Sequence, residues 1–292
     1  MFLEYLKLIR VHQWVKNFFV FVPLLFSLHI FDWSYLQTSL LAFLIFCLAS
    51  SSIYVINDLV DVNADRAHPR KKNRPIASGK IKVPSAVIVS SLLLVIIFTI
   101  IPYSNFEFLL SVIGFLVLNI LYSFIFKNIV ILDIFSIAAG FAIRVLGGAF
   151  AINVPISNWL LLTTMFISLF LGVMKRHSEL VLVSENENHE SRKVLSQYSL
   201  NFADQMATVA AAGVIICYAL YTVAPRTVTV FGSENLIYTT PFVVFGIFRF
   251  MYLEYQSQKG ENTTRVVATD LPMILTVILY ILVTMFIIYK SI

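Results

Sequence analysis

Long, nearly uncharged apolar stretches recur along this 292-residue chain. A membrane-spanning helix needs about 20 mostly apolar residues to cross some 30 Å of hydrocarbon. Nine stretches answer to that description, near residues 17–32, 36–57, 84–102, 107–126, 130–152, 158–174, 205–224, 237–255 and 271–289. Inside lipid a segment must satisfy its own backbone hydrogen bonds, so these stretches read as helices. The expected fold is therefore all-α: one domain over 1–292, a bundle of nine transmembrane helices. Composition agrees, with 59% hydrophobic and 13% charged residues, where soluble domains carry about 25% charged. A water-soluble enzyme, a disordered chain, a disulfide scaffold and a free nucleic-acid binder are all excluded. Cys47 and Cys217 lie in apolar stretches and read as small buried hydrophobes.

Lys7, Arg10 and Lys16 precede the first stretch, as in a signal peptide, but no small-residue cleavage site follows Ile30. It reads as a retained helix. Residues 1–16 mix apolar and basic positions at helical spacing and read as an interfacial segment. All Lys and Arg except Arg144, Arg226, Arg249 and Lys290 then fall on one side of a nine-span chain. Cytoplasmic loops collect Lys and Arg, so that face is expected to be cytoplasmic, with the N-terminus inside and the C-terminus outside. The expected location is the plasma membrane of a bacterium, and the polar loops 58–83 and 175–204 hold the chemistry.

The densest polar segment runs Asn57-Asp58-Leu59-Val60-Asp61-Val62-Asn63-Ala64-Asp65-Arg66. Spacings of three and four put Asp58, Asp61 and Asp65 on one face of a helix. Three like charges repel unless a cation sits among them. Mg²⁺ is hard, prefers oxygen and is commonly shared between carboxylates and substrate phosphates. A plain solvated helix end is the alternative, but ionisable groups clustered at a membrane edge point to function. Pro69 and Pro75 break any helix in the segment that follows. There Arg66, Arg70, Lys71, Lys72 and Arg74 crowd together. Topology alone accounts for the basic residues; acids holding Mg²⁺ while Arg and Lys clamp phosphate oxygens account for both signs.

Asn57-Asp58-x-x-Asp61-x-x-x-Asp65, followed by Arg74-Pro75-Ile76-Ala77-Ser78-Gly79, resembles the first signature of the UbiA-type intramembrane prenyltransferase superfamily. The resemblance implies a helical bundle around a central cavity, with Mg²⁺-diphosphate at its cytoplasmic mouth. It also implies a second Asp-rich motif in the loop after span four, where this chain has Lys127 and the single acid Asp133. Fewer acids and an added lysine suit an additional anionic substrate. With Gln13-Trp14-Val15-Lys16-Asn17, Arg144-x-x-Gly147-Gly148 and Lys175-Arg176-His177-Ser178-Glu179-Leu180, the chain looks like the decaprenyl-phosphate phosphoribosyltransferase branch. The implied substrates are phosphoribosyl diphosphate and a polyprenyl phosphate.

In such a reaction the nucleophile is already an anion. The protein must bring two anions together and stabilise the leaving group. Asp58 and Asp61 are the expected Mg²⁺ ligands, with Asp65 third and Asn57 beside them. Lys16, Asn17, Arg66, Arg74, Tyr122, Lys127, Lys175 and Arg176 are the candidate substrate contacts. Asp133 either completes the metal site, binds ribose hydroxyls or caps span five. Arg144, eleven residues on, is about three turns away on nearly the same face, and is expected to face the cavity or form an ion pair. Gly147-Gly148 reads as a close-packing point, and Arg249 has no assigned role.

His12, His29, His68, His177 and His189 show no zinc spacing. The Asn262-Thr263-Thr264 sequon falls on the expected cytoplasmic side, and Ser184–Ser191 reads as a solvated loop. Two other functions compete: transfer of a prenyl group from its diphosphate to an aromatic acceptor, and transport. A transporter places ionisable groups near the midplane on broken helices, whereas here they crowd one surface.

Overall fold

The computed structural model describes residues 2–67, 71–185, 194–256 and 269–290. His68, Pro69, Arg70, His189, Arg192, Lys193, Lys259, Arg265, the Asn262 sequon and most of Ser184–Ser191 lie outside them. The described residues form helices and turns with no β-strand. In chain order the α-helices are α1 (Phe2–Leu8), α2 (Val22–Leu25), α3 (Trp33–Val60), α4 (Val62–Ala67), α5 (Val83–Ile100) and α6 (Phe106–Phe124). They continue as α7 (Leu132–Ala151), α8 (Asn158–Glu185), α9 (Leu200–Val223), α10 (Pro225–Phe231), α11 (Thr240–Gln256) and α12 (Leu271–Tyr289).

Among the described residues eight helices are long and apolar enough to cross a membrane, and the chain is an integral membrane protein. They match all the expected spans but the first. There the chain forms a 3-10 helix over Val11–Phe21, then the four-residue α2. At about 2.0 Å per residue in the first piece and 1.5 Å in the second, the two reach roughly 28 Å end to end. Polar side chains tie this segment to α3. Trp14 Nε1 donates to Ser51 Oγ at 3.0 Å, and Asn17, fully buried, donates to Cys47 Sγ at 3.2 Å.

A second correction concerns the loop expected over 175–204. α8 continues to Glu185 and α9 begins at Leu200, so Lys175 and Arg176 are helical residues. The apolar run stops near residue 174, but Arg176 stays helical because burial and an ion pair replace its hydration.

The chain divides into two compact units: Met1–Phe126 with Ile143–Pro155, and Lys127–Ala142 with Ile156–Ile292. In the first, α3 is the central element; 61% of its span is buried, against 17% for α5. Its buried face mixes apolar residues with the polar ones. Ser50, Ser51 and Ser52 point inward while Leu40, Leu41 and Leu44 are exposed, the reverse of a water-soluble helix. Ser52 Oγ meets Ser90 Oγ of α5 at 2.9 Å, a small-residue polar contact of the kind that joins helices in lipid. The core below is aromatic, with Phe46 edge-on to both Phe108 and Phe115. In the second unit α8 packs against α9, where Ala203, Ala207, Ala210 and Ala211 let the helices approach.

Gly147 and Gly148 are the close-packing point that the sequence suggests. A Cβ on Gly148 would lie 2.0 Å from the carbonyl oxygen of Val20, a backbone atom that no rotamer change moves. We expect Gly148→Ala to lower the unfolding temperature in detergent, by about 1–3 kcal/mol of stability or more. Gly114→Ala, with no atom within 4 Å of the new methyl, should be neutral or mildly stabilising. Equal behaviour of the two variants would rule out the contact.

Candidate active site

The polar end of α3 is built from hydrophobic anchors upward. Leu8, Val55, Ile76, Ile81 and Ala86 form a small buried cluster. Ile76 and Ile81 belong to a compact turn closed by Ser78 N donating to Arg74 O at 2.9 Å and Ile81 N to Pro75 O at 3.0 Å. Gly79 supplies the left-handed residue of this turn, at φ +76. The matched motif from Arg74 to Gly79 is thus a clip that seats its isoleucine in the core and holds Arg74 at the acids.

Asp58 and Asp65 are each 2% exposed. One atom, Arg74 Nη1, lies 3.1 Å from Asp58 Oδ1 and 2.6 Å from Asp65 Oδ2. Arg10 Nη2 also donates to Asp58 Oδ1, and its guanidinium lies over the Tyr54 ring at 4.9 Å. Arg10 takes a left-handed backbone at φ 51, ψ 51, which costs a non-glycine residue roughly 1–2 kcal/mol and has to be held by its surroundings. Nothing in the sequence marks Arg10 among the other basic residues. Glu4, paired with Lys7 at 2.9 Å and Lys80 at 3.4 Å, was equally unmarked. The Lys7 hydrogen bond holds its carboxyl below the usual range.

The three carboxylates do not share one continuous helical face. α3 ends at Val60, and Asp61 is its C-cap at φ −90, ψ 8 before α4 resumes. Among the described residues no three His, Cys, Asp or Glu side chains gather closely enough for a metal. What is gathered is two buried carboxylates sharing one guanidinium nitrogen. Asn57, next to Asp58 in the sequence, has a buried Oδ1 with no hydrogen-bond partner among the described residues. That donor set is all oxygen and suits a small hard cation. Arg66 is exposed, with its Nε 3.4 Å from Ala77 O. A pocket of about 370 Å³ opens beside the cluster, lined by Lys7, Arg10, His12, Asp58, Asn73, Arg74 and Pro75.

Deeper in the same unit Arg144 is 6% exposed. Its Nε donates to Asn17 Oδ1 at 2.6 Å and its Nη2 to Ser50 Oγ at 3.4 Å, with the Phe115 ring 4.5 Å from Cζ. Asn17 therefore serves Arg144 and Cys47. Lys16 is exposed and Tyr122 half-buried.

In the second unit Asp133 is fully buried, and it is not a helix cap. Its Oδ2 accepts from Arg176 Nε at 2.8 Å and its Oδ1 from Tyr198 OH at 2.7 Å. Arg176, 2% exposed, also donates to Glu179. The Tyr198 hydroxyl in turn accepts from Ile131 N at 2.6 Å. Ile131 is β-branched yet sits at φ 70, a rare conformation for such a residue. One phenol thus pins a strained turn and a buried carboxylate. Lys175 is exposed and Lys127 half-buried. His177 Nε2 lies 3.3 Å from Asp204 Oδ1. Arg249, given no role above, makes a two-bond pair with Asp270 at 3.1 and 2.8 Å and so ties α11 to the N-cap of α12. That hydrogen bonding lowers the pKa of Asp270.

The model of the UbiA prenyltransferase family matches residues 18–273. The chain belongs to that family. Its similarity extends to a decaprenyl-phosphate phosphoribosyltransferase of Mycolicibacterium smegmatis, 36% identical over 74% of this chain and 69% of that one. The protein of the same name from Corynebacterium glutamicum is 35% identical over 74% of this chain and 66% of its own length. A solved UbiA homolog from Archaeoglobus fulgidus, bound to DMAPP and Mg²⁺, superposes with a TM-score of 0.73 at 18% identity, covering 98% of this chain and 99% of that one. Digeranylgeranylglyceryl phosphate synthase gives 0.68 at 20% identity, covering 97% of both chains. These structures share the UbiA fold with this chain.

Asp133→Ala should cost about 3 kcal/mol, because the buried Arg176 keeps Glu179 but loses its buried carboxylate and the Tyr198 hydroxyl loses its acceptor. Tyr198→Phe should cost about 1–3 kcal/mol. Burial pushes the Tyr198 phenol above its ordinary value, so the native state keeps it protonated. Its contribution is complete below about pH 10 and is lost as pH rises through the folded value. Chemical denaturation between pH 8 and 11 should show wild type losing more stability than Tyr198→Phe; parallel curves would refute the assignment.

Proposed function

We propose that this chain transfers 5-phosphoribose from phosphoribosyl diphosphate to a polyprenyl phosphate. The observation that carries this reading is its similarity, at 34–36% identity over 74% of its length, to proteins named decaprenyl-phosphate phosphoribosyltransferase. A phosphate oxygen of the lipid forms the bond to C1 of the ribose, the C1–oxygen bond breaks, and diphosphate leaves with the electron pair. The nucleophile carries no proton that must be removed, so no general base is required. The work is positioning and charge.

Asp58 and Asp65, with the orphaned Asn57 oxygen, are our metal ligands; Asp61 joins them only by a rearrangement of the break it caps. Mg²⁺ held there supplies neutralisation of the charge that builds on the departing diphosphate. Arg74 and Arg66 bind phosphoryl oxygens of the donor, and Lys16, Lys127 and Lys175 attract the phosphates of both substrates. Tyr122 is a polar substrate contact, whereas Asn17, fully buried and bonded to Arg144 and Cys47, positions Arg144 instead. Asp133 and Arg176 act on each other: the carboxylate fixes the guanidinium, and Tyr198 fixes the carboxylate. Asp133 is therefore a positioning residue.

The basic face is cytoplasmic in this reading. Seven spans then follow the basic loop after α3 and put the C-terminus outside, and the N-terminus is cytoplasmic if the composite segment Val11–Leu25 crosses the bilayer. Impermeant thiol labelling of Leu3→Cys in intact cells decides this: protection supports nine crossings, and labelling supports eight.

The direct assay is purified protein with Mg²⁺, phosphoribosyl diphosphate and a polyprenyl phosphate, read by product mass. A phosphoribosylated lipid is the expected product. Consumption of a prenyl diphosphate with an aromatic acceptor, while phosphoribosyl diphosphate is ignored, would overturn the reading. Asp58→Asn should abolish turnover, and a chelator should do the same reversibly. Near-normal turnover of a folded Asp58→Asn protein removes the metal assignment.

A further inference from the structure

Arg10 and Arg74 stand in two relations that conflict. They neutralise Asp58 and Asp65, and they line the pocket beside those acids. A carboxylate oxygen has two lone pairs. Asp58 Oδ1 accepts from both Arg10 Nη2 and Arg74 Nη1, so both are taken. Asp65 Oδ2 is engaged by Arg74 at 2.6 Å. A metal ion on the same oxygens would meet two guanidiniums already bonded to them.

We propose that Arg10 and Arg74 are resident counter-cations that exchange with the metal. The divalent ion enters as the guanidiniums leave Asp58 and Asp65, and the displaced arginines turn to the phosphoryl oxygens that arrive with it. This rests on the reading that these acids hold a metal. Neither half of the exchange is favourable alone. A metal without an anion leaves two arginine cations beside a divalent ion. A diphosphate without a metal faces two buried carboxylates. Together the charges cancel, so metal and diphosphate bind cooperatively, each tightening the other by the same factor. The pocket of about 370 Å³ lined by the two arginines, Lys7, His12 and Asn73 gives the displaced guanidiniums and a phosphoryl group somewhere to meet.

The test uses the full chain in detergent, Mn²⁺ as the metal probe and inorganic diphosphate as the anion. Protein-bound Mn²⁺ is counted by electron paramagnetic resonance after free complexes are removed. In wild type, diphosphate should tighten Mn²⁺ binding by about tenfold or more, a common size for linked sites. Arg74→Gln should bind Mn²⁺ alone about tenfold more tightly than wild type and gain less from diphosphate. Arg74→Lys keeps a competing cation and should stay near wild type. Arg10→Gln should move in the same direction as Arg74→Gln, and it carries the test if Arg74→Gln does not fold. Glutamine variants that bind Mn²⁺ alone no better than wild type would overturn the exchange and leave the arginines purely structural. If Asp58→Asn and Asp65→Asn bind Mn²⁺ with diphosphate as wild type does, the metal reading fails, and the exchange with it.

Discussion

An ionised side chain buried in an apolar helix bundle costs several kcal/mol unless a partner of opposite charge meets it. That constraint organises both units of this protein. In the first, Asp58 and Asp65 are buried because Arg10 and Arg74 converge on them from a left-handed bend after α1 and from the turn after α4. In the second, Asp133 is buried because Arg176 and Tyr198 occupy its two oxygens. Each network joins segments far apart in the chain, so satisfying charge also fixes tertiary structure. The cost of breaking one partner away exceeds the net value of the pair, because the other is left uncompensated. Such pairs specify one arrangement even where they add little stability.

The hydrophobic contacts decide where those charges sit. Ile76 and Ile81, buried against Leu8 and Val55, hold the clip that presents Arg74. Gly148 lets the Val11–Phe21 segment come close enough for Asn17 to reach Arg144. Of the four non-glycine residues at positive φ among the described residues, Arg10 at φ 51 and Ile131 at φ 70 lie beside the two networks. Both positions are held by a charged or phenolic hydrogen bond rather than by packing alone, and strain retained under such control tends to mark functional places.

The long apolar helices were legible because length and hydropathy alone define them; the last span was read as 271–289, and α12 is Leu271–Tyr289. The family was legible because Asn57, the three aspartates and the Arg74–Gly79 clip stand close in sequence. What the sequence hides is pairing across distance. Arg10 and Asp58 are 48 positions apart, and Tyr198 and Asp133 are 65, so no local periodicity links them. The first span misled because an apolar run of the right length does not report that Trp14 and Asn17 are bound to α3. The three-acid face misled because helical spacing assumes an unbroken helix, and Asp61 is where this one ends.

The state of Asp133 bears on how much metal the proposed site can use. A second ion needs carboxylate oxygens with lone pairs to give. Both oxygens of Asp133 already accept, one from a guanidinium and one from a phenol, and the side chain has no exposure. Freeing them would take from the buried Arg176 its buried carboxylate partner, with Glu179 left, and from Tyr198 the acceptor of its hydroxyl. Asp58 and Asp65 differ in kind. Their partners are two arginines that line an open pocket and retain 21% and 28% side-chain exposure, so those guanidiniums can leave the acids without being stranded. The chain therefore distinguishes a carboxylate committed to structure from a pair of carboxylates that can exchange partners. On that ground the proposed divalent ion belongs with the first motif, where arginine can exchange for it, and not with Asp133.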